Sequence, residues 1–164
     1  MRIILAVVAI PILLIPGCMS SSTSSGGSGS ATGMSSGKKS LYERLNGEPA
    51  IAAVVDKFVG KAAGDPKVNF TRKGTPKEWQ ATPENVDHLK RMLVEFIGMA
   101  TGGPQKYTGK AMKPVHEGMQ ITDAEFSAIA ADLQAVLDEM KVPAAEAGEL
   151  MAIVASTRGD IVQK

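Results

Sequence analysis

From residue 40 onward the apolar positions recur at helical spacing. Ile51, Val54, Val55, Phe58, Val59 and Ala62 make one stripe, the i, i+3, i+4 pattern of an amphipathic helix. Glu48-Pro49 marks its start, since proline in a first turn gives up an N–H that no helix bond uses; Gly64-Asp65-Pro66 stops it. A second stripe, Val86, Leu89, Leu93, Phe96, Ile97 and Ala100, opens on Thr82-Pro83-Glu84 and closes on Gly102-Gly103-Pro104. Thr122-Asp123-Ala124-Glu125 is a capping box, and Phe126, Ile129, Ala130, Leu133, Val136, Leu137 and Met140 follow it. Val142-Pro143 breaks that helix, and Ala147, Leu150, Met151, Val154 and Ile161 outline a single last one. No stretch alternates with the period of a strand. The pattern predicts an all-α domain.

Two connections carry the residues that the stripes leave out. Residues 68–81 are irregular and hold Phe70 and Trp79, the only tryptophan. Arg72, Lys73 and Lys77 make this connection basic, which reads as a solvated loop; Phe70 reads as a core plug. Residues 107–120 are punctuated by glycine and proline and predicted largely non-helical, with Pro114 placed to open one short turn. That turn contains His116, one of two histidines. A neutral imidazole is a good ligand for haem iron, but a lone histidine beside apolar residues is more often a core or surface residue. The other histidine, His88, lies one residue before Leu89, about 100° around the helix, so it faces sideways or outward if Leu89 faces in.

The first forty residues are of another kind. Met1 to Gly17 is a mostly apolar run after one basic residue, too short for a confident membrane span, and reads as an export signal over residues 1–17. Ile15-Pro16-Gly17-Cys18 resembles the bacterial lipobox, which implies a lipid on Cys18 and a lipoprotein on the periplasmic side of a bacterial membrane. Pro11 and Pro16 depart from that pattern, and an ordinary signal or an uncleaved anchor is the other reading. Residues 18–39 are rich in Ser and Gly with few apolar side chains, the composition of a flexible tether. Residues 40–164 then form one domain. A net charge of +1, with no stripe of basic and aromatic residues, argues against a nucleic-acid partner. The single cysteine excludes an intramolecular disulfide, a Cys-x-x-Cys-His haem attachment and a cysteine-built metal site.

Several landmarks occur together and in one order. They are Leu41-Tyr42-Glu43-Arg44-Leu45 with Gly47-Glu48, then Val54-Val55-Asp56-Lys57-Phe58, then Gly102-Gly103-Pro104, Tyr107-Thr108-Gly109, Met112-Lys113 with His116 and Gly118, and Ile121 to Phe126. In this the chain from about residue 40 onward resembles the group I truncated haemoglobins. The resemblance implies two antiparallel helix pairs stacked as a two-over-two sandwich around non-covalent haem b. It makes His116 the iron ligand and places Phe58, Val59, Phe70, Leu89, Leu93, Phe96, Tyr107, Met112 and Val115 as pocket walls, with Tyr107 near the haem edge. Lys113 matches a family lysine that reaches a haem propionate; otherwise it is a surface lysine. For each apolar wall residue, ordinary core packing is an equal reading.

One departure from the family bears on function. Where members commonly read Phe-Tyr, this chain reads Phe58-Val59, and two distal positions often held by polar residues are Leu89 and Leu93. None of the three side chains donates a hydrogen bond. The resemblance therefore implies a five-coordinate haem b globin that binds oxygen, carbon monoxide or nitric oxide in an apolar distal pocket. Nitric-oxide dioxygenation or peroxidase-like chemistry is the alternative, and needs an external reductant. A haem-free helical lipoprotein with a binding role is the third, and His88 reaching inward as a sixth ligand is the rival arrangement at the iron.

Overall fold

The computed structural model describes residues 38–163. The predicted export signal, Cys18 and the Ser/Gly-rich segment as far as Gly37 lie outside the described residues, as does Lys164. Among the described residues there are seven helices and no strand. They are α1 Leu41–Arg44, α2 Gly47–Gly64, α3 Pro83–Ala100, α4 Met112–His116, α5 Asp123–Glu139, α6 Ala144–Ser156 and α7 Arg158–Ile161. No helix among them is long and apolar enough to cross a membrane.

The four long helices form two packed pairs, α2 with α3 and α5 with α6, and α2 also packs on α5. Ile51, Val54, Val55 and Val59 of α2 meet Ile97 of α3, Leu133, Val136 and Leu137 of α5, and Ala147 and Leu150 of α6 in one core. This is the two-over-two arrangement that the family resemblance implies. Burial of a large aliphatic side chain contributes about 1.5–3 kcal/mol, so the helix–helix faces, not local propensity, hold the sandwich together.

The helix ends follow the sequence signals closely. Thr122 Oγ1 accepts from Glu125 N at 3.2 Å while the Glu125 carboxylate accepts from Thr122 N at 2.8 Å, closing the predicted capping box. Thr82 caps α3 through Asn85 N, with Pro83 in the first turn. Three details differ from the sequence reading. A second capping box, Ser40 with Glu43, starts the short α1. The turn holding His116 begins at Met112, with Pro114 inside it rather than opening it. The last predicted helix is two, α6 and α7, which part at Thr157, whose N–H and hydroxyl both bond back to Val154 O, at 3.1 and 2.7 Å.

Candidate functional site

α4 is a single turn, and its last residue is His116. The imidazole Nδ1 lies 2.7 Å from Met112 O, one turn earlier on the same helix. The carbonyl can only accept, so Nδ1 carries the proton and Nε2 is the nitrogen left with a lone pair for a ligand. Burial pushes the imidazole below its ordinary pKa; the bond to Met112 opposes this, and the positive charge of Arg72 adds to the lowering. The ring is therefore held neutral at neutral pH, the form that binds a metal. Gly118, at φ +81, lets the chain reverse two residues later.

The predicted wall residues fall into three groups. On α2 and α3, Phe58, Leu89, Leu93 and Phe96 are half-buried and pack against the edge of the core, whereas Val59 is within it at 3% exposure. In the connections, Phe70 sits 5.3 Å from Trp79, whose indole N–H donates to Phe70 O at 2.9 Å. Tyr107 meets Phe96 edge-on at 5.6 Å and donates its hydroxyl to Lys110 O. On α4, Met112 and Val115 are half-buried beside His116, and Lys113 is exposed. A run of half-buried apolar side chains at the core's edge, with one neutral imidazole, suits a large flat apolar group that brings its own metal ligands. Among the described residues no three of His, Cys, Asp or Glu converge on a possible metal site. A groove of about 570 Å³ runs beside Val59, Gly60, Phe70, Val86 and Lys90; of the predicted wall residues Val59 and Phe70 line it, whereas His116, Leu89 and Leu93 do not.

His88 is exposed, and Arg91 donates to its Nδ1 at 2.9 Å. It therefore stands on the outward face of α3, as its offset from Leu89 predicts.

Arg72 corrects the sequence reading. It lies in the basic connection taken as a solvated loop, yet it is buried to 6% exposure. Its guanidinium donates to Asn69 O at 2.6 Å, to Met119 O at 3.2 Å and to Glu125 Oε1 at 2.5 Å. Gln163 was likewise absent from the predicted set; its amide donates to His116 O at 2.7 Å. No local pattern signals either residue's tie to this segment, because Met119, for Arg72, and His116, for Gln163, each lie 47 residues away in the chain.

Comparison with known proteins agrees with this geometry. The family model of bacterial-like globins matches residues 40–163. The group 1 truncated hemoglobin of Tetrahymena pyriformis is 33% identical over 126 residues, covering 77% of this chain and 97% of the relative. That of Mycolicibacterium paratuberculosis is 33% identical over 122 residues, 74% of this chain and 83% of the relative. Among solved structures, the Fe(III) form of the Tetrahymena pyriformis protein superposes with a TM-score of 0.65, covering 77% of this chain and 100% of that one. The 2/2 hemoglobin of Synechococcus, described with covalently attached heme, gives 0.64 at 30% identity, with 77% and 100% covered. Two-over-two packing, a lone histidine closing a short turn and a match along the whole described domain have one reading: the chain belongs to the bacterial-like globins and, within them, to the truncated haemoglobins.

Proposed function

We propose that His116 is the only protein ligand to the iron of the haem b that this globin carries, and that the iron binds a diatomic gas on the side lined by Val59, Leu89 and Leu93. The observation that carries this reading is the neutral, half-buried imidazole with Nδ1 committed to Met112 O and Nε2 left to ligate. A backbone acceptor behind a ligating histidine fixes its tautomer and ring plane. Phe58, Phe70, Phe96, Tyr107, Met112 and Val115 wall the haem, and Lys113 reaches a propionate. With no cysteine in the globin domain, the haem is held without a thioether bond. Because Val59, Leu89 and Leu93 donate nothing, the pocket favours carbon monoxide, which needs little hydrogen bonding, over tight retention of oxygen.

The test is an ultraviolet–visible spectrum of the ferric, ferrous and carbonyl forms of the purified protein and of His116→Ala. We expect the variant to lose normal haem retention. An alanine variant with wild-type stoichiometry and spectrum overturns the assignment.

The setting we propose is a lipoprotein. Lipidation of Cys18 after removal of residues 1–17, with residues 18–39 as tether, leaves the globin facing the periplasm. This rests on the apolar leader and Ile15-Pro16-Gly17-Cys18. Cys18→Ala is expected to lose membrane association on fractionation; an intact, unmodified Cys18 in an untruncated cytosolic chain, seen by mass spectrometry, counts against it.

A further inference from the structure

We propose that Arg72 and Gln163 are positioning residues that clamp the segment after His116 from two sides, and so set the direction and tension of the bond from His116 to iron. The inference rests on His116 being the ligand, as proposed above. α4 is one turn long, and a single turn has too few internal bonds to hold a ring rigidly. Beyond it, residues 117–122 are non-helical, and Gly118 and Gln120 both have positive φ. Such a segment needs restraint from elsewhere if its histidine is to keep one orientation.

Both restraints are visible. From one side, Gln163 donates to His116 O at 2.7 Å and accepts from Gln120 N at 2.9 Å, while its own N–H donates to Ile121 O at 2.8 Å. Three bonds thus tie Gln163 to the ligand's own peptide and to the strand of chain after it. From the other side, the buried Arg72 guanidinium reaches Met119 O and Glu125 Oε1. Glu125 is itself fixed by the α5 capping box, so the Arg72 fork is anchored on a rigid helix start. Planar, charge-assisted donors of this kind fix geometry as well as adding energy.

The anchor at the far end of Arg72 is equally firm. Arg72 Nε donates to Asn69 O, and the Asn69 side chain bonds Lys73 at both N and O. Trp79 closes the same loop onto Phe70 O and, through its backbone N–H, onto Thr71 O. The loop that presents Phe70 therefore moves with Arg72, and Arg72 moves with the chain behind His116. Arg72 itself sits at φ +55, an uncommon conformation for a side chain of this size. The surrounding bonds outweigh that strain, as expected where a residue's position is over-determined.

The test reads the iron–histidine stretching band of the ferrous protein by resonance Raman, together with haem loss to a scavenger. Arg72→Met and Gln163→Leu should each shift and broaden the band and speed haem loss by about tenfold, the lower end of the usual effect of an outer-shell partner. Arg72→Lys, which keeps the charge and a single donor nitrogen but loses the fork, should recover part of the band position. Arg44→Met is the control. It removes a comparable ion-paired arginine, between α1 and the Glu146 and Glu149 carboxylates of α6, and should lower stability without moving the band. Bands unmoved in haem-replete Arg72→Met and Gln163→Leu overturn the clamp. If Arg72→Met does not fold, the exposed Gln163 decides alone. A wild type lacking the band, or His116→Ala keeping the wild-type spectrum, is a different failure: it overturns the ligand assignment and the clamp with it.

Discussion

In the proposed pocket, a valine at position 59 would offer a bound gas dispersion contacts and nothing more. A hydrogen bond to a charged or strongly polarised acceptor contributes about 1.5–3 kcal/mol, or about one to two decades in affinity. Val59→Tyr should therefore slow oxygen dissociation about tenfold or more by stopped flow, with little change for carbon monoxide. Because Val59 is 3% exposed, the larger ring also costs about 1–3 kcal/mol of stability through overpacking. A wild-type rate that is already slow, and unchanged in Val59→Tyr, identifies a donor other than these three side chains. Single residues were unevenly legible in the sequence. His116 stood out because its neighbours form a pattern, and His88 could be turned outward by counting 100° per residue. Arg72 looked like solvent because burial of an arginine depends on partners distant in sequence. Its value appears in pH dependence. Burial alone raises the Glu125 pKa, but the bonds from Arg72 and from Thr122 together bring it below the usual 4.5. A depressed carboxylate contributes stability above its unfolded pKa, and that contribution is lost as pH falls through the folded value. Arg72→Met should thus be less stable than wild type by about 3 kcal/mol at pH 7, with the gap narrowing below about pH 4.5 in denaturant titrations.

The helices announced themselves through caps and stripes, and their starts are where the sequence reading was strongest. Thr122 does two jobs at once: it caps α5 and orients the carboxylate that holds Arg72. Thr122→Ala should cost about 0.5–2 kcal/mol in chemical denaturation. The split between α6 and α7 was hidden because Val154 and Ile161 are seven residues apart, the spacing of one continuous helix face; the break shows in the backbone, where Thr157 N bonds only three residues back, to Val154 O. A second element-level expectation comes from Asp132, 7% exposed on the inner side of α5. Its Oδ2 has no hydrogen-bond partner, and Lys61 Nζ is 4.0 Å from Oδ1. Burial, then Asp65, raise its pKa, against smaller opposing effects of Lys61 and Lys67. A raised carboxylate pKa penalises the folded state once pH exceeds the unfolded value. Asp132→Asn should therefore stabilise the domain at pH 7 by about 1 kcal/mol, and the gain should vanish when pH falls below the ordinary aspartate value of 3.8.

At the scale of the molecule, the all-α class followed from periodicity alone, and the two-over-two packing from family landmarks spread along the domain. Periodicity could not choose which faces meet, since a stripe states what is buried but not against what. The match to known globins begins at residue 40, the point where composition changes. A fragment starting at Gly37 should accordingly fold and bind haem with the stoichiometry of the full chain, measured by pyridine haemochrome against protein concentration.

If the half-buried apolar edge of Phe58, Phe70, Leu89, Leu93 and Phe96 seats the haem as proposed, it ties the lifetime of the polypeptide to the supply of its prosthetic group. A ligand that binds only the folded chain stabilises it by mass action, about 2.7 kcal/mol at a hundredfold excess over its dissociation constant. Copies that acquire no haem open more often and meet proteases first. The amount of this globin in a cell would then track haem availability even at constant transcription, so that the apolar surface proposed to seat the cofactor would also meter how much protein survives.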